Sequence, residues 1–353
     1  MTAAGTGGAP LVSVLGASGY LGSVLTGLLA QRPGRVRAVG RGACPVPARP
    51  VAGVETRTAD LTDPVALAGA VAEADVVLHL CKHSGGWRDA EQDPDSERVN
   101  VGVVRELVEV MRRRPGTGPP PVVVFAATTS QVGPPPPRPM DGTEPDRPET
   151  AYDRQKLTAE RLLKAASDQG VVRGVSLRLP TVFGRSPLSP VPDRGVVSTM
   201  VRRALGGEPL TMWHDGTVRR DLVYAEDAAE AFLAAAGSAD ALAGRHWLVG
   251  TGRHDTVGAV FETVAESVAA HTGRAAVPVT SVEPPPNAPV IDFLSTTIDP
   301  EPFRRAAGWS ARTRLRDAVD RTVACVLAET GTGTGAGTGA TGNSPGKESR
   351  VRT

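Results

Sequence analysis

The sequence predicts an α/β protein built on a doubly wound parallel sheet, with a smaller C-terminal lobe. Three short apolar runs have the composition of buried parallel strands: LVSVLG at 11–16, DVVLHL at 75–80 and PVVVFAA at 121–127. Between such runs lie segments with apolar residues at helical spacing, among them 20–31 and 150–167. Because strand and helix alternate, the strands are expected to run parallel, with helices on both faces of the sheet.

The other segments of the first half continue this alternation. Further strands are predicted at 35–40, 53–59 and 171–180, and further helices at 63–74 and 96–113. Pro64 lies near the start of the first of these helices, and Ser96 is predicted to cap the second.

After residue 184 the alternation loosens. The sequence predicts a loop, a helix, a strand, a strand–helix unit and a helix, at 186–195, 196–207, 209–213, 221–236 and 257–272. We therefore expect a main domain over 10–184, joined again by 220–247, and a smaller lobe built from 185–219 and 250–328. Residues 329–353 are rich in Gly and Thr and poor in apolar side chains, which predicts a disordered tail.

Composition and charge exclude several classes of protein. The chain has 353 residues, 40% hydrophobic and 22% charged, with a net charge of +1, so no electrostatic attraction to nucleic acid or anionic membrane is expected. Its three cysteines have no metal-ligand spacing and cannot form a disulfide framework, which predicts no metal site and a reducing, cytoplasmic location. The N-terminus has no basic segment followed by an apolar one, and no apolar run reaches about 18 residues, so neither a signal peptide nor a membrane span is expected.

The turn between the first strand and the first helix reads GASGYLG, with glycines at 16, 19 and 22. Glycines at such a turn let the backbone approach a pyrophosphate, which then lies at the N-terminus of the helix. The spacing is one residue wider than the dinucleotide fingerprint, and glycines that only shape the turn are the alternative. The place of the turn, directly between strand and helix, favours a dinucleotide site.

The end of the second strand bears on the choice of dinucleotide. Gly40 and Arg41 stand where an acidic residue would accept hydrogen bonds from an adenosine ribose. An arginine suits a 2′-phosphate instead, so NADPH is favoured over NADH, with a solvated arginine as the alternative. The residues expected to line the cofactor are Gly16, Ser18, Gly19, Tyr20, Leu21, Gly22, Arg41, Asp60, Leu61, Leu80, Cys81, Lys82, Asn100, Lys156, Pro180 and Val182.

Tyr152 and Lys156 lie four residues apart on a predicted helix and hence on one face of it. A free tyrosine titrates at about 10, too high for acid–base work at neutral pH. A lysine cation a few ångströms away favours the phenolate, so the sequence predicts a lowered pKa for Tyr152. An ordinary exposed pair of side chains is the alternative.

Three hydroxyl side chains stand beyond the strand at 121–127. Thr128, Thr129 and Ser130 follow its carboxyl end, an edge that faces the ligand crevice in a doubly wound sheet. Asn100, on the preceding helix, is predicted to connect Lys156 to water. These positions make the Tyr–Lys pair part of a candidate active site.

Taken together, the motifs resemble those of extended short-chain dehydrogenases/reductases of the nucleotide-sugar epimerase/dehydratase group. In family order over residues 10–325 they read GASGYLG, DLTD, VVLHL, FAATTSQVG, YDRQK, RLPTVFG and RRDLVYAEDAAEAF. The resemblance implies a Rossmann sheet, with Thr128 as the family's Ser/Thr beside Tyr152 and Lys156. It also implies that Arg220 contacts a sugar-nucleotide pyrophosphate and that the LTMW strand flanks the base, whereas a second family arginine is replaced around 287–292.

The resemblance also bears on the reaction. Related 4,6-dehydratases carry Asp-Glu where this chain has Thr129 and Ser130, so dehydration is not expected. Three segments, HSGGWRDAEQDPDSERVNVG, ETAYDRQK and TMWHDGTVRRDLVY, resemble the 4-ketoreductases of antibiotic deoxysugar biosynthesis. The implied reaction is NADPH-dependent reduction of the C4 ketone of a dTDP-4-keto-6-deoxyhexose, in a 2,6-dideoxy form. In it Tyr152 protonates the ketone oxygen, Thr128 hydrogen-bonds the same oxygen and Lys156 lowers the tyrosine pKa.

Substrate contacts are expected from several loops. The residues are His83, Ser84, Thr129, Ser130 and Arg220, with a weaker expectation for His214 and an open one, packing or sugar contact, for Trp87. Related enzymes pair through two long helices, which here are 96–114 and 150–167 and imply a homodimer. Two alternatives stay open: an NAD-dependent nucleotide-sugar 4-epimerase, and a non-catalytic NADP-binding sensor on the same fold.

Overall fold

The computed structural model describes residues 9–85, 89–115, 118–186, 188–189, 191, 193, 195–213, 215–286, 288 and 290–333. The strands within them are β1 (Leu11–Leu15), β2 (Arg35–Gly40), β3 (Gly53–Thr58), β4 (Val76–His79), β5 (Val122–Thr128), β6 (Arg173–Leu179), β7 (Thr181–Phe183), β8 (Leu210–Trp213), β9 (Arg219–Arg220), β10 (Leu222–Tyr224), β11 (Arg245–Leu248), β12 (Asp255–Thr256) and β13 (Val279–Val282). The helices are α1 (Tyr20–Ala30), α2 (Pro64–Val71), α3 (Asp95–Glu97), α4 (Val103–Arg112), α5 (Ala151–Asp168), α6 (Val196–Leu205), α7 (Ala225–Gly237), α8 (Ala239–Leu242), α9 (Val257–Thr272), α10 (Glu301–Ala307) and α11 (Leu315–Gly333). Shorter 3-10 turns lie at Asp89–Glu91, Thr129–Val132 and Val290–Phe293, and a π-helical turn, Arg98–Gly102, joins α3 to α4.

A seven-stranded parallel sheet forms the centre of the molecule. Its strands follow the order β11-β6-β5-β4-β1-β2-β3, and the paired strands run parallel throughout. The predicted doubly wound α/β fold is thereby confirmed. The strand order reverses between β1 and β4, and in such sheets ligands bind in the crevice beyond the carboxyl ends of the strands at this point.

Both faces of the sheet are covered, as the apolar composition of its strands requires. On one face α1 and α7 pack together over a core that includes Val14, Leu25 and Phe232. On the other face α2, α4 and α5 enclose a second core, with Leu107 and Phe125 near its middle. The crevice at the strand ends is therefore bordered by helices that the two cores hold in place.

A third apolar cluster belongs to the C-terminal half. It joins α6, α9 and α11 to β7, β8 and β10, with Phe183, Val201 and Phe261 buried in it. Helix α10 packs elsewhere: Phe303 is fully buried between Trp247 and Trp309, within the core on the α1 side of the main sheet. Residues 301–309, which the sequence assigns to the smaller lobe, thus contribute to the main core.

Several elements differ from the sequence-based expectation. The segment predicted as one helix over 96–113 consists of α3, the π-helical turn and α4, and Ser96 does not cap it, because its hydroxyl donates to the carbonyl of Ala90. The strands β7, β11 and β13 were not predicted; all are four residues long or shorter and too brief for a periodic pattern. Helix α11 continues to Gly333, so the first residues of the predicted disordered tail are helical, and 334–353 lie outside the described residues.

Of the helices in the described residues, none has both the length and the hydropathy that crossing a bilayer requires.

Candidate active site

The glycine turn between β1 and α1 is a tight backbone cradle. Gly16 has φ of +88°, and a Cβ on Gly22 would lie 2.1 Å from the Gly16 carbonyl oxygen, so a side chain fits at neither position. Helix α1 begins with Gly19 as its N-cap and without a hydrogen bond from a capping side chain. The amides of the first helical turn are therefore left for another acceptor, and such a terminus binds anions such as a pyrophosphate. The turn fits the predicted dinucleotide.

The end of β2 packs against the glycine turn. A Cβ on Gly40 would lie 2.3 Å from the Ser18 Oγ, which explains the glycine before Arg41. Arg41 itself is exposed, and no acidic side chain stands at this position. Nearby, the exposed Asp60 accepts hydrogen bonds from the backbone N and the Oγ1 of Thr62, and these bonds lower the pKa of its carboxyl group.

The remaining residues of the predicted cofactor lining come from the glycine turn and α1, from the end of β4, and from the segments that follow β3 and β6. A Cβ on Gly16 would contact the Leu80 carbonyl carbon at 3.0 Å, so β4 and the glycine turn meet directly. Beyond Leu80, Cys81 is partly exposed, with a thiol pKa that burial raises to about 12, and Lys82 is exposed. The other members are the buried Leu61 and the partly buried Ser18, Leu21, Pro180 and Val182.

Tyr20 is also in the predicted lining, but its surroundings include the C-terminal half. Among the residues that the structure describes, its hydroxyl is buried without a hydrogen-bond partner. Burial, and then the charge of Asp193, raise the pKa of Tyr20 well above its ordinary value. The structure thus places Tyr20 near the segment that follows β7.

At the carboxyl end of β5, Thr128 caps a short 3-10 turn. Its Oγ1 accepts from the Ser130 backbone N at 3.3 Å, and its own backbone N donates to the Gln131 Oε1 at 3.2 Å. Thr128 and Ser130 are partly exposed, whereas Thr129 is buried and donates its hydroxyl to the Leu179 carbonyl at 3.4 Å. The turn holds the Thr128 hydroxyl at the edge of the sheet, and the Thr129 hydroxyl is bonded to β6.

Helix α5 presents Tyr152 and Lys156 toward this edge. The Nζ of Lys156 donates to the Ala126 carbonyl at 2.8 Å, and it lies 4.7 Å from the Phe125 ring centroid and 5.9 Å from that of Tyr152. The side chain is 2% exposed, and burial lowers the pKa of its ammonium group to about 8. The structure therefore brings the residues of the predicted triad to one place, at the junction of β5 and α5.

The pKa of Tyr152 differs in sign from the sequence-based expectation. Removal of water from the phenol raises this pKa above its ordinary value, and the negative charge of Asp153 raises it further. The ammonium group of Lys156 is hydrogen-bonded to a backbone carbonyl and is itself weakened by burial, so it does not reverse these effects. At pH 7 Tyr152 is a neutral phenol, as a free tyrosine is, and burial makes it a weaker acid than a free tyrosine.

Asn100 has partners other than the predicted ones. It lies in the π-helical turn, where its Oδ1 accepts from the His83 backbone N at 2.8 Å and its Nδ2 donates to the Gln155 Oε1 at 2.7 Å. It thus connects the loop after β4 to α5, and its predicted role in linking Lys156 to water stays a prediction. π-Helical turns are frequent at functional sites.

The loop after β4 is held by its own contacts. The His83 Nε2 lies 3.2 Å from the Asp93 Oδ2, and its Nδ1 accepts from the Gly85 backbone N at 3.3 Å. His83 is therefore paired on both ring nitrogens, while Ser84 is exposed. Trp87 lies outside the described residues.

Arg220 is bound to a neighbouring backbone segment. Its guanidinium group donates to the carbonyls of Leu294 at 2.5 Å and of Asp292 at 2.8 Å. The predicted pyrophosphate contact stays a prediction. His214 and residues 287 and 289 of the NAPVID segment lie outside the described residues.

A cavity of about 690 Å³ is lined in part by residues that lie close to Arg220 in the sequence. Its lining residues are Asp215, Thr217, Val218, Ser281 and Phe293. The ring of Trp213, at the end of the LTMW strand, lies 5.9 Å from that of Phe293. The strand expected to flank a base thus lies near an open space with an aromatic wall.

A buried ionic network behind Thr128 was not predicted. Glu160 accepts from the Gln131 Nε2 at 3.2 Å and from the Arg178 Nη2 at 2.8 Å, and it pairs with Lys164. Glu160 and Arg178 are both fully buried. A signal existed in the sequence, since Glu160 follows Lys156 at helical spacing and so lies on the same face of α5.

Asp153 is the second residue that the sequence analysis missed. It is 5% exposed and bonded to Ser130 at 2.5 Å, yet in the sequence it reads as an ordinary acidic residue in the first turn of a helix. The helical spacing that pairs Tyr152 with Lys156 gives no information about the contact between Asp153 and Ser130, which lies beyond the end of β5.

The sheet and the glycine turn define a dinucleotide-binding α/β protein. The profile of the NAD dependent epimerase/dehydratase family matches residues 12–250. The chain belongs to this family, whose members are enzymes that use a pyridine nucleotide.

Two characterised relatives extend over most of the chain. The UDP-glucose 4-epimerase of Mycolicibacterium smegmatis is 28% identical over 319 residues, which cover 88% of this chain and 96% of the relative. The dTDP-6-deoxy-L-talose 4-dehydrogenase (NAD(P)(+)) of Kitasatospora kifunensis is 28% identical over 315 residues, 87% of this chain and 93% of the relative. These relatives are an epimerase and a dTDP-sugar dehydrogenase, so the closer resemblance to 4-ketoreductases stays a prediction.

Solved structures show the same similarity. MoeE5 in complex with UDP-glucose and NAD is 27% identical, with a TM-score of 0.71, over 91% of this chain and 99% of that chain. The UDP-glucose 4-epimerase of Thermus thermophilus in complex with NAD is also 27% identical, with a TM-score of 0.73, over 90% and 99% of the two chains.

Proposed function

We propose that the protein is an NADPH-dependent 4-ketoreductase that acts on a dTDP-4-keto-6-deoxyhexose, in a 2,6-dideoxy form, in antibiotic deoxysugar biosynthesis. One observation carries the proposal: Tyr152 and the buried Lys156 stand with Thr128 at the end of β5, and hydroxyl groups occupy the positions where related dehydratases have carboxylates. The relative from Kitasatospora kifunensis, named for a reaction at C4 of a dTDP-6-deoxysugar with NAD(P), supports the substrate class.

On this proposal the cofactor is held by the backbone of the glycine turn and by Arg41. The first-turn amides of α1 would bind the pyrophosphate, and the exposed guanidinium group of Arg41 would bind the adenosine 2′-phosphate. When bound, the cofactor supplies a hydride. The chain itself has to supply the proton and the position of the ketone.

The proton comes from Tyr152. The neutral phenol can hydrogen-bond the C4 oxygen as a donor and give up its proton as negative charge develops on that oxygen. The nearby Lys156 ammonium group then favours the phenolate that remains. A tyrosine that starts protonated suits reduction of a ketone.

Replacement of Tyr152 by phenylalanine tests this role. In Tyr152→Phe the ring packing is kept and the proton donor is lost, so turnover of NADPH with a dTDP-4-keto-6-deoxyhexose should fall by about two orders of magnitude or more. NADPH binding, followed by its fluorescence, should be unchanged. Binding without turnover already in the unmodified protein would instead support the non-catalytic sensor.

A comparison of NADPH with NADH tests the cofactor. The proposal expects oxidation of NADPH, and activity with NADH alone would contradict the argument from Arg41. The matched variant is Arg41→Ala, which removes the charge and leaves the glycine turn intact. Its loss of affinity should be confined to the cofactor that carries a 2′-phosphate.

A 4-epimerase is the second candidate, because relatives with this activity match nearly the whole chain. It predicts that NAD copurifies with the protein, that UDP-glucose or a related sugar is converted without net oxidation, and that NADPH is not consumed. The homodimer through the helical segments 96–114 and 150–167, and the cytoplasmic location, belong to the proposal in both cases.

A further inference from the structure

The last residues of β5 are held to α5 at two points. The Ala126 carbonyl accepts from the Lys156 Nζ at 2.8 Å. The Thr128 backbone N donates to the Gln131 Oε1 at 3.2 Å, and the Gln131 Nε2 donates to the Glu160 Oε2 at 3.2 Å. Lys156 and Glu160 are four residues apart and share a face of α5. The first contact is direct, whereas the second is made through Gln131.

The orientation of the Gln131 amide is fixed by its two partners. The Thr128 backbone N–H can only donate, and the carboxylate of Glu160, which is paired with the buried Arg178, can only accept. A flipped amide would place donor against donor at one end and acceptor against acceptor at the other. Because Gln131 is 0% exposed, such unmade bonds would be buried and costly. The Oε1 of Gln131 therefore faces Thr128.

Thr128 is held through both of its donor and acceptor groups on this side. Besides the bond of its backbone N to Gln131, its Oγ1 accepts from the Ser130 backbone N at 3.3 Å, and the two bonds form a capping box. The Gln131 carbonyl accepts from the Arg147 backbone N at 3.0 Å, which connects the turn to the segment before α5. The position of Thr128 relative to α5 thus depends on Gln131.

We propose that Gln131 is a positioning residue whose amide holds Thr128 at a fixed distance from Tyr152. Glu160 sets the direction of that amide. This rests on the proposed function, in which Thr128 and Tyr152 both contact the C4 oxygen. Tyr152 lies one turn before Lys156 on α5 and two turns before Glu160, so the bonds through Gln131 place both contacting groups in one rigid frame. A misplacement of about 1 Å can lower a rate by about 10²-fold.

Exchange of the Thr128 backbone amide hydrogen tests the bond without any ligand. Gln131→Met keeps the length of the side chain and removes both hydrogen bonds, so this amide should exchange at least about tenfold faster, as measured by NMR on the full chain. Gln131→Glu keeps an acceptor for the amide but sets a second carboxylate against Glu160, and it should accelerate the exchange as well. An unchanged rate in either variant overturns the proposal.

Turnover tests the consequence for the reaction. With NADPH and a dTDP-4-keto-6-deoxyhexose, Gln131→Met should lower kcat by about tenfold or more, because Thr128 moves relative to the phenol. The Kd of NADPH, followed by its fluorescence, should be unchanged. In a Tyr152→Phe background the same change should have a much smaller effect, because the two groups act as a unit. A loss of NADPH binding as large as the loss of kcat would contradict a positioning role.

Lys164→Met is the matched control. The Lys164 Nζ pairs at 2.7 Å with the Glu160 Oε1, the carboxylate oxygen that Gln131 does not use. This variant should lower the midpoint of thermal unfolding and leave both kcat and the exchange of the Thr128 amide unchanged. If it lowers kcat as much as Gln131→Met does, lost stability is the cause and the proposal is wrong. Absence of turnover in the unmodified protein, with the exchange results as expected, would count against the ketoreductase and not against the hold of Gln131 on Thr128.

Discussion

Lys156 is a lysine whose burial changes its acid–base behaviour. Desolvation disfavours the charged amine, and the pKa is lowered to about 8. We predict that one of the four lysines of the chain titrates near this value. Lysine labelled with ¹³C at Cε, followed by NMR over pH 6–11, measures this, and Lys156→Met assigns the signal. Four ordinary titrations would show that Lys156 is solvated.

At the scale of residues, the sequence predicted proximity better than it predicted chemistry. Residues four apart in a helix share a face, so the neighbourhood of Tyr152 and Lys156 follows from spacing. The sign of the Tyr152 pKa shift does not, because it depends on how much water the fold removes from the phenol. The part played by Asp153 depends on the path of the loop after β5, which no periodic pattern records.

At the scale of elements, Glu160 connects α5 to β6 through its bond to Arg178. Burial alone would raise its pKa, but hydrogen bonds from His246 and Arg178 lower it well below the ordinary value. A lowered folded-state pKa contributes stability above the unfolded pKa of about 4.3, and this contribution is lost as the pH falls. The ion pair of Glu160 and Arg178 is therefore expected to hold α5 and β6 together at neutral pH and to weaken at acidic pH.

Glu160→Gln tests the pair. At pH 7 the variant should lose up to about 3–5 kcal/mol of unfolding free energy, because the buried Arg178 loses one of its two carboxylate partners and keeps only Asp146. Between pH 5 and pH 3 the unmodified protein should lose stability more steeply than the variant, so the difference narrows. Urea unfolding at several pH values measures both quantities. Parallel curves for the two proteins would contradict the assignment.

Element boundaries were predicted well where the periodic pattern is long and poorly where it is short. Long periodic segments such as 257–272 and 196–207 were predicted to within two residues of α9 and α6. Short strands such as β7 and β13 were missed, because three or four residues carry no period and their pairing comes from distant parts of the chain.

The whole molecule depends on α10 more than its place in the sequence suggests. Phe303 has 0% exposure and lies between two tryptophans in the main core, with ring centroids at 6.4 Å from Trp247 and 5.6 Å from Trp309. Phe303→Ala should therefore reduce the unfolding free energy by about 3–5 kcal/mol, measured in urea. Val290→Ala, at a site 73% exposed, is the control and should change it by less than about 0.5 kcal/mol. Equal effects would mean that α10 does not pack as described.

The global fold was predictable because alternation of strand and helix leaves few ways to arrange a parallel sheet. The crevice at the strand ends follows from these rules, whereas the strand order was not predicted from the sequence. The division into domains is a different matter, since it depends on where the C-terminal segments pack. Phe303 and Trp309 carry no mark in the sequence that assigns them to one core or the other.

The π-helical turn before α4 constrains the length of its segment. It contains one residue more than a regular turn. The extra residue sets the rotation about the helix axis between Ser96, which bonds Gln155, and the residues of α4. Loss of a single residue there would restore a regular helix and rotate everything upstream by about 100° about the axis. Asn100 and Ser96 could then no longer reach α5 together. The segment that steadies the loop at His83 is thus sensitive to insertion and deletion in a way that its neighbours on the surface are not.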